Sequence, residues 1–135
     1  MIYLDTDVLV HYLIEQDAKK HQEAIQLYEE ASNKGQCFIS VLGLQEVAFV
    51  LTKLDVEQAS IDAMLRDLVQ QVTVVDFGIG LFLRAMALAS KIGYQNITDC
   101  LHTAIAEAHC TELVTYNKKD FKRIQKYTKL KITIL

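Results

Sequence analysis

Short aliphatic runs alternate with longer amphipathic stretches along the whole chain, and this alternation constrains the fold more than any other feature. The runs are Ile2 to Leu4, Gln36 to Ser40, Val72 to Phe77, Glu112 to Tyr116 and the closing KITIL. Their brevity and near-continuous apolar character mark strands buried on both faces. Between them apolar residues recur three and four apart, as in Ala24, Leu27, Tyr28 and Ala31, or Leu101, Ala104, Ile105 and Ala108. That is the helical period. Further stripes run through Leu44, Val47 and Leu51 and through Ile61, Leu65 and Leu68. Strands alternating with helices predict an α/β fold, a three-layer α/β/α sandwich around a central parallel sheet. KITIL is expected at a sheet edge.

Local signals sharpen the boundaries. Asp17, Ser40 and Thr98 are predicted N-caps, Gly35 suits a helix C-terminus, and Asp55 with Gln58 resembles a capping box. The 135 residues, 51% hydrophobic and without Pro, predict one ordered domain spanning residues 1–135. Cys37, Cys100 and Cys110 form no CxxC pair and are expected as reduced, buried thiols. MIYLD lacks the basic lead-in of a secretion signal, and no apolar stretch reaches the ~20 residues of a membrane span. A cytoplasmic location is expected.

Acids outnumber bases 17 to 14, giving a net charge of -3. Half of the basic residues nevertheless crowd into the C-terminal segment: Lys118, Lys119, Lys122, Arg123, Lys126, Lys129 and Lys131. Such a run is either a solvated face or a phosphate-contacting patch.

Four acids occupy positions where regular elements begin or end. Asp5 closes the first apolar run, and Asp99 opens a helical stretch. Asp120 follows the ELVTYN run, and Glu46 lies in the first turns of a helix, surrounded by apolar residues. Each has an ordinary explanation. Asp5 can cap a helix, although Asp7 could do so instead; Asp99 suits a helix dipole; Asp120 can be solvated in a post-strand loop. Glu46 is the least easily dismissed, because an acid among apolar residues usually has a partner or a metal.

Ligands of α/β sheets bind outside the carboxyl ends of the strands, where these acids would converge. Two unit charges ~4 Å apart repel by about 4 kcal/mol at an effective dielectric near 20. No Lys or Arg adjoins Asp5, Glu46 or Asp99 in sequence. A hard cation with oxygen ligands, Mg²⁺ or Mn²⁺, is the expected compensation. Zinc fits less well, because His102 and His109 are two helical turns apart and no Cys lies at finger spacing. His102 is expected as a partly exposed helical residue.

On these residues the chain resembles the PIN-domain nucleases, in particular the VapC-type toxins of toxin–antitoxin pairs. YLDTDVLV, FISVLGLQEV, ITDCLHTAIAEA and LVTYNKKDF are similar, in order, to the family's four acidic blocks. The resemblance implies Asp5 and Asp99 as principal metal ligands, with Glu46 and Asp120 completing a catalytic acidic pocket. Thr6, Asp7, Thr115 and Asn117 would support it. Asp7 stands where the family commonly has Asn. Asn117 is an amide where the family can carry an acid, so Asp120 has to reach in from further along the loop.

The implied activity is Mg²⁺- or Mn²⁺-dependent endonucleolytic cleavage of RNA, with Lys118, Lys119, Lys122 and Arg123 contacting the RNA backbone. A homodimer and a small antitoxin partner are implied as well. IYLDTDVLV also fits the opening of haloacid-dehalogenase-like phosphotransferases, with Asp5 as nucleophile and Asp7 as acid, but GYQNIT before Asp99 is no strand. A non-catalytic PIN-like RNA-binding or scaffold module is the remaining alternative.

Overall fold

Five parallel strands form one sheet in the computed structural model, which describes all 135 residues. They are β1 (Ile2–Leu4), β2 (Cys37–Ser40), β3 (Thr73–Val75), β4 (Glu112–Thr115) and β5 (Lys131–Ile134), in the order β3-β2-β1-β4-β5. KITIL therefore does form an edge. The helices are α1 (Thr6–Leu13), α2 (Ala18–Asn33), α3 (Val41–Lys53), α4 (Gln58–Gln71), α5 (Ile79–Ile92), α6 (Ile97–His109) and α7 (Lys118–Ile124). No helix is long and apolar enough to cross a membrane.

The period-two alternation of the strands divides the core. Leu4, Ile39 and Val114 turn to one face and pack with Val8, Leu9, Tyr28, Val47 and Leu51 beneath α1 to α4. Tyr3 and Leu113 turn to the other and pack with Ala85, Ala89, Cys100, Ala104, Phe121 and Ile124 beneath α5 to α7. Small residues on α5 and α6 let these two helices lie close together. All three cysteines are free thiols, with Cys37 and Cys100 fully buried.

The sheet order fixes where a ligand can bind. From β1 the chain steps outward to β2 and β3, then crosses back to place β4 and β5 on the other side. The carboxyl ends of β1 and β4 thus flank the point at which the connections diverge, the usual crevice of an open α/β sheet. Asp5 directly follows β1, and Tyr116 and Asn117 directly follow β4.

Several boundaries differ from expectation. Asp17 and Ser40 do cap α2 and α3, accepting from the Lys20 and Gly43 amides at 3.0 Å each. Asp55 instead adopts a left-handed conformation (φ 58°) after α3, and Glu57 precedes α4 without a side-chain cap. Thr98 lies inside α6, which begins at Ile97. Gly93 ends α5 with φ 114°, a region that penalises any Cβ. The clearest departure is α7: what reads as a loop after β4 is a helix started by Asn117, whose Oδ1 accepts the Asp120 amide at 3.2 Å. Only Phe121 and Ile124 turn inward from it.

A candidate acidic site at the sheet switch point

Asp5 does cap α1: its Oδ1 accepts the Thr6 amide at 2.9 Å. Its Oδ2 accepts the Thr115 hydroxyl at 2.8 Å, so the end of β4 orients the carboxylate at the end of β1. Asp7 does not take over the cap. Two residues further on, it accepts the Tyr116 amide at 3.1 Å and approaches the same Thr115 hydroxyl at 3.2 Å. One hydroxyl proton thus lies between two carboxylates. Asp5, Thr6, Asp7, Glu46, Asp99 and Asn117 all line a single cleft of ≈ 290 Å³.

The electrostatics of this cleft are strained. Burial, and then the charge of Asp5, push the Asp99 carboxyl up to about 7, with Asp120 and Glu46 adding to the repulsion and His102 opposing it. Burial and Asp5 likewise push Asp7 up to about 7, against the hydrogen bonds from Tyr116 and Thr115. No Lys or Arg side chain is among the groups that oppose either shift.

Glu46 is the exception, because it has a partner that the sequence did not suggest. Far from partly exposed, His102 is 1% exposed, on a helix buried through most of its circumference. Its Nε2 bonds Glu46 Oε1 and lies 3.8 Å from Asp5 Oδ1. Its Nδ1 meets the Tyr3 hydroxyl at 2.6 Å, which in turn meets Ser40 Oγ at 2.6 Å. Glu46 Oε1 also accepts the Thr6 hydroxyl at 2.9 Å.

Burial alone would raise Glu46 and lower His102. The contact between them wins in both cases, holding Glu46 below and His102 above their ordinary values, with Asp5 further raising His102. An imidazolium thus partly offsets the acids. Burial pushes the Tyr3 hydroxyl well above its usual range, so it stays a neutral link in the chain.

Asp120 stands one layer back. It does not line the cleft; it lies behind Asn117, whose Nδ2 donates to Asp120 Oδ2 at 2.9 Å and reaches Asp99 Oδ2 at 3.4 Å. Both ends of the Asn117 amide are therefore occupied, as helix cap and as brace between two acids. Asn96, with its amide oriented to satisfy its neighbours, donates to Asp120 Oδ1 at 3.1 Å and accepts from Arg123 Nη1 at 3.2 Å. Asn96 carries no periodic signal and was not foreseen. His102 could have been, because a helix of small residues such as TAIA is buried all round and a histidine within it needs partners.

The basic run does not behave as one patch. Lys118 and Lys119 are exposed at the start of α7, beside Asn117, and Lys122 is exposed further along it. Arg123 turns its guanidinium to the Ile92 carbonyl and Asn96, which ties α7 to the end of α5 and removes it from the free cations. Lys126 and Lys129 line a separate depression with Arg84 and Glu107, and Lys131 pairs with Glu112 at 3.0 Å, level with the opposite ends of the strands.

The donors facing the cleft are mainly carboxylate, hydroxyl and amide oxygens, the set a hard divalent cation takes. They face one another without clasping: no three His, Cys, Asp or Glu side chains are grouped tightly enough to hold an ion. An ion would require Asp5 and Asp99 to draw together. Their repulsion, relieved by a cation, supplies the reason to do so, and in that sense the donor set fits.

An acid with a folded pKa above its unfolded value of about 4 holds more protons when folded, so its contribution falls as pH rises toward about 7. Asp99 and Asp7 both act this way, and the raised His102 has the same sign. In chelator, the melting temperature should be lower at pH 8 than at pH 5. Asp99→Asn should raise stability at pH 8 by on the order of 1 kcal/mol and flatten the profile. Wild-type and variant profiles that are both flat would contradict the raised carboxyl.

Comparison with known proteins agrees with this architecture. No curated protein sequence matches the chain. Among solved structures, VapBC2 from Rickettsia felis, bound to a promoter DNA fragment, matches 100% of this chain and 99% of its own at 21% identity and TM-score 0.74. VapC20 from Mycobacterium tuberculosis, a toxin that cleaves the sarcin-ricin loop, covers 97% of this chain and 99% of its own, at 19% identity and TM-score 0.72. A toxin–antitoxin complex from Klebsiella pneumoniae covers 90% of each chain, at 24% identity and TM-score 0.68. These likenesses establish the fold. The PIN domain family model matches residues 2–127, nearly the whole sequence, and the chain therefore belongs to the PIN domain family.

Proposed function

We propose that this chain is a divalent-metal-dependent endoribonuclease and the toxin of a toxin–antitoxin pair. The observation that carries the reading is the buried confrontation of Asp99 with Asp5 at the sheet switch point of a PIN fold, in a cleft lined by oxygen donors. Asp5 and Asp99 would hold Mg²⁺ or Mn²⁺. When bound, such an ion stabilises charge on phosphoryl oxygens and acidifies water. Thr115 fixes the rotamer of Asp5. Glu46, gripped through Oε1 by His102 and Thr6, keeps Oε2 free of hydrogen bonds within the chain and can orient water there. Asp120, braced by Asn117 and Asn96, supplies negative charge behind Asp99. Lys118 and Lys119 flank the cleft and would guide the phosphate backbone. Lys122 is more distant, and Arg123 is assigned to positioning Asp120.

Membership of the PIN domain family sets aside the dehalogenase-like reading of Asp5 and Asp7. The non-catalytic alternative is tested directly. Metal-dependent cleavage of single-stranded RNA should fall at least about 100-fold in Asp5→Asn, because one of two charged ligands is lost. Equal turnover by the variant would remove catalysis by this cleft. In the same assay, Lys118→Ala with Lys119→Ala should raise KM and flatten its salt dependence.

A protein partner is supported by the surface of α5. Ile79 is 73% and Leu83 56% exposed, one turn apart, with Phe77 and Phe82 also uncovered. Exposed apolar residues gathered in this way mark a protein contact. A homodimer would cover this face, and a small antitoxin as second partner is supported by the toxin–antitoxin complexes among the similar structures. Light scattering should give twice the 15.3 kDa chain mass for wild type and the single mass for Leu83→Asp. A monomeric wild type would leave the face to the antitoxin and remove the homodimer.

A further inference from the structure

The cleft does not end with the acids. On α1, Thr6 is followed four residues later by Val10 and Asp7 by His11; on α3, Glu46 is followed by Val50. All of them line the same ≈ 290 Å³ space. Residues four apart stand one above another, about 5.4 Å along the helix axis. Over one turn, both walls therefore change from carboxylate and hydroxyl to aliphatic carbon. Gln16, in the bend after α1, lines the same end.

His11 gives that end its chemistry. Its ring lies edge-on to Tyr116, with centroids 5.0 Å apart. Its backbone carbonyl accepts from the His21 ring at 2.6 Å, which anchors the end of α1. Neither ring nitrogen bonds to the rest of the chain: Nδ1 is enclosed without a partner, and Nε2 is not enclosed. Burial, then the charge of Lys20, hold the imidazole below its ordinary range, so it is neutral at neutral pH.

The far end of the cleft thus offers two aliphatic walls, an uncharged aromatic ring and a primary amide. Its lining holds no Lys or Arg, and the nearby Lys20 ammonium sits over the Tyr116 ring, 5.1 Å from its centroid. A nucleobase, apolar on its faces and polar at its edges, matches this set. A volume of ≈ 290 Å³ lies near the lower end for small-ligand pockets, enough for one nucleotide and not for a folded RNA element.

We propose that Val10, His11, Gln16 and Val50 form a base-binding subsite, which holds the nucleobase of the nucleotide whose phosphate lies over Asp5 and Asp99. The subsite rests on the nuclease reading for its orientation and sets the base preference at the cut. His11 and Gln16 read the base edge, and Val10 and Val50 enclose its faces.

The test is a titration of the four nucleoside 5′-monophosphates and of ribose 5-phosphate in millimolar Mg²⁺, followed by the ring proton resonances of His11. At least one nucleotide should shift those signals and bind about tenfold more tightly than ribose 5-phosphate, as expected when a base gains a stacking and edge-reading site. His11→Ala should bring that ratio close to one. Gln16→Ala, in an exposed bend where folding is not at stake, should reduce it as well. Nucleotides that bind no better than ribose 5-phosphate, or a ratio unchanged in both variants, would overturn the subsite. No bond is broken in this readout. Base-selective binding by a protein that cuts no RNA would reject the nuclease reading alone, whereas base-blind binding by one that does cut would reject the subsite alone.

Discussion

Repulsion between Asp5 and Asp99 is the interaction on which the rest of the molecule depends. The parallel sheet leaves neither acid free to retreat. Asp5 is pinned between the first amide of α1 and the hydroxyl that ends β4. Asp99 is fixed on α6, whose other residues are packed into the core on nearly every side. Folding through two apolar faces therefore forces the two carboxylates toward one space. Burial, and then the charge of Asp5, raise the Asp99 carboxyl to about 7. A site that stores this tension is poised for a cation in a way that a solvated acidic surface is not.

The supporting residues divide into those that hold the acids and those that temper them. Thr115 and the Tyr116 amide hold Asp5 and Asp7, while Asn117 and Asn96 hold Asp120. His102 tempers, because its pairing with Glu46 and its approach to Asp5 bring a positive charge into an otherwise negative cleft. It is positioned by a chain from Ser40, the last residue of β2, through Tyr3, the central residue of β1. The strands thus set the histidine, the histidine sets Glu46, and Glu46 bonds Thr6 across the cleft.

Much of this architecture is legible in the sequence. Strands buried on both faces announce themselves as short aliphatic runs, and all five were located to within two residues at either end. Asp5 and Asp99 stand out because each lies at an element boundary, Glu46 because it interrupts an apolar helix, and the fold brings them to one cleft. What escaped lacks a periodic signal. In α7 only Phe121 and Ile124 face inward, so seven mostly charged residues read as a loop, although Asp120 stands in the first turn of a helix. A lone histidine on an amphipathic stripe reads as partly exposed, yet α6 has little exposed surface and His102 is buried. The basic run was misleading for a related reason: residues adjacent in sequence diverge on a helix and a strand, so Arg123 is tied to the Ile92 carbonyl and Asn96 while Lys126 and Lys129 line a different depression.

The central claim is that these acids are kept apart by their own charge and drawn together by a hard cation. Calorimetric titration of Mn²⁺ at pH 7, in two buffers of different ionisation enthalpy, reads this directly, because a cation entering the cleft must displace protons from the raised carboxyls. The account predicts saturable binding with net proton release, both diminished in Asp99→Asn. No binding at millimolar metal, or binding without proton release that Asp99→Asn leaves unchanged, would contradict it.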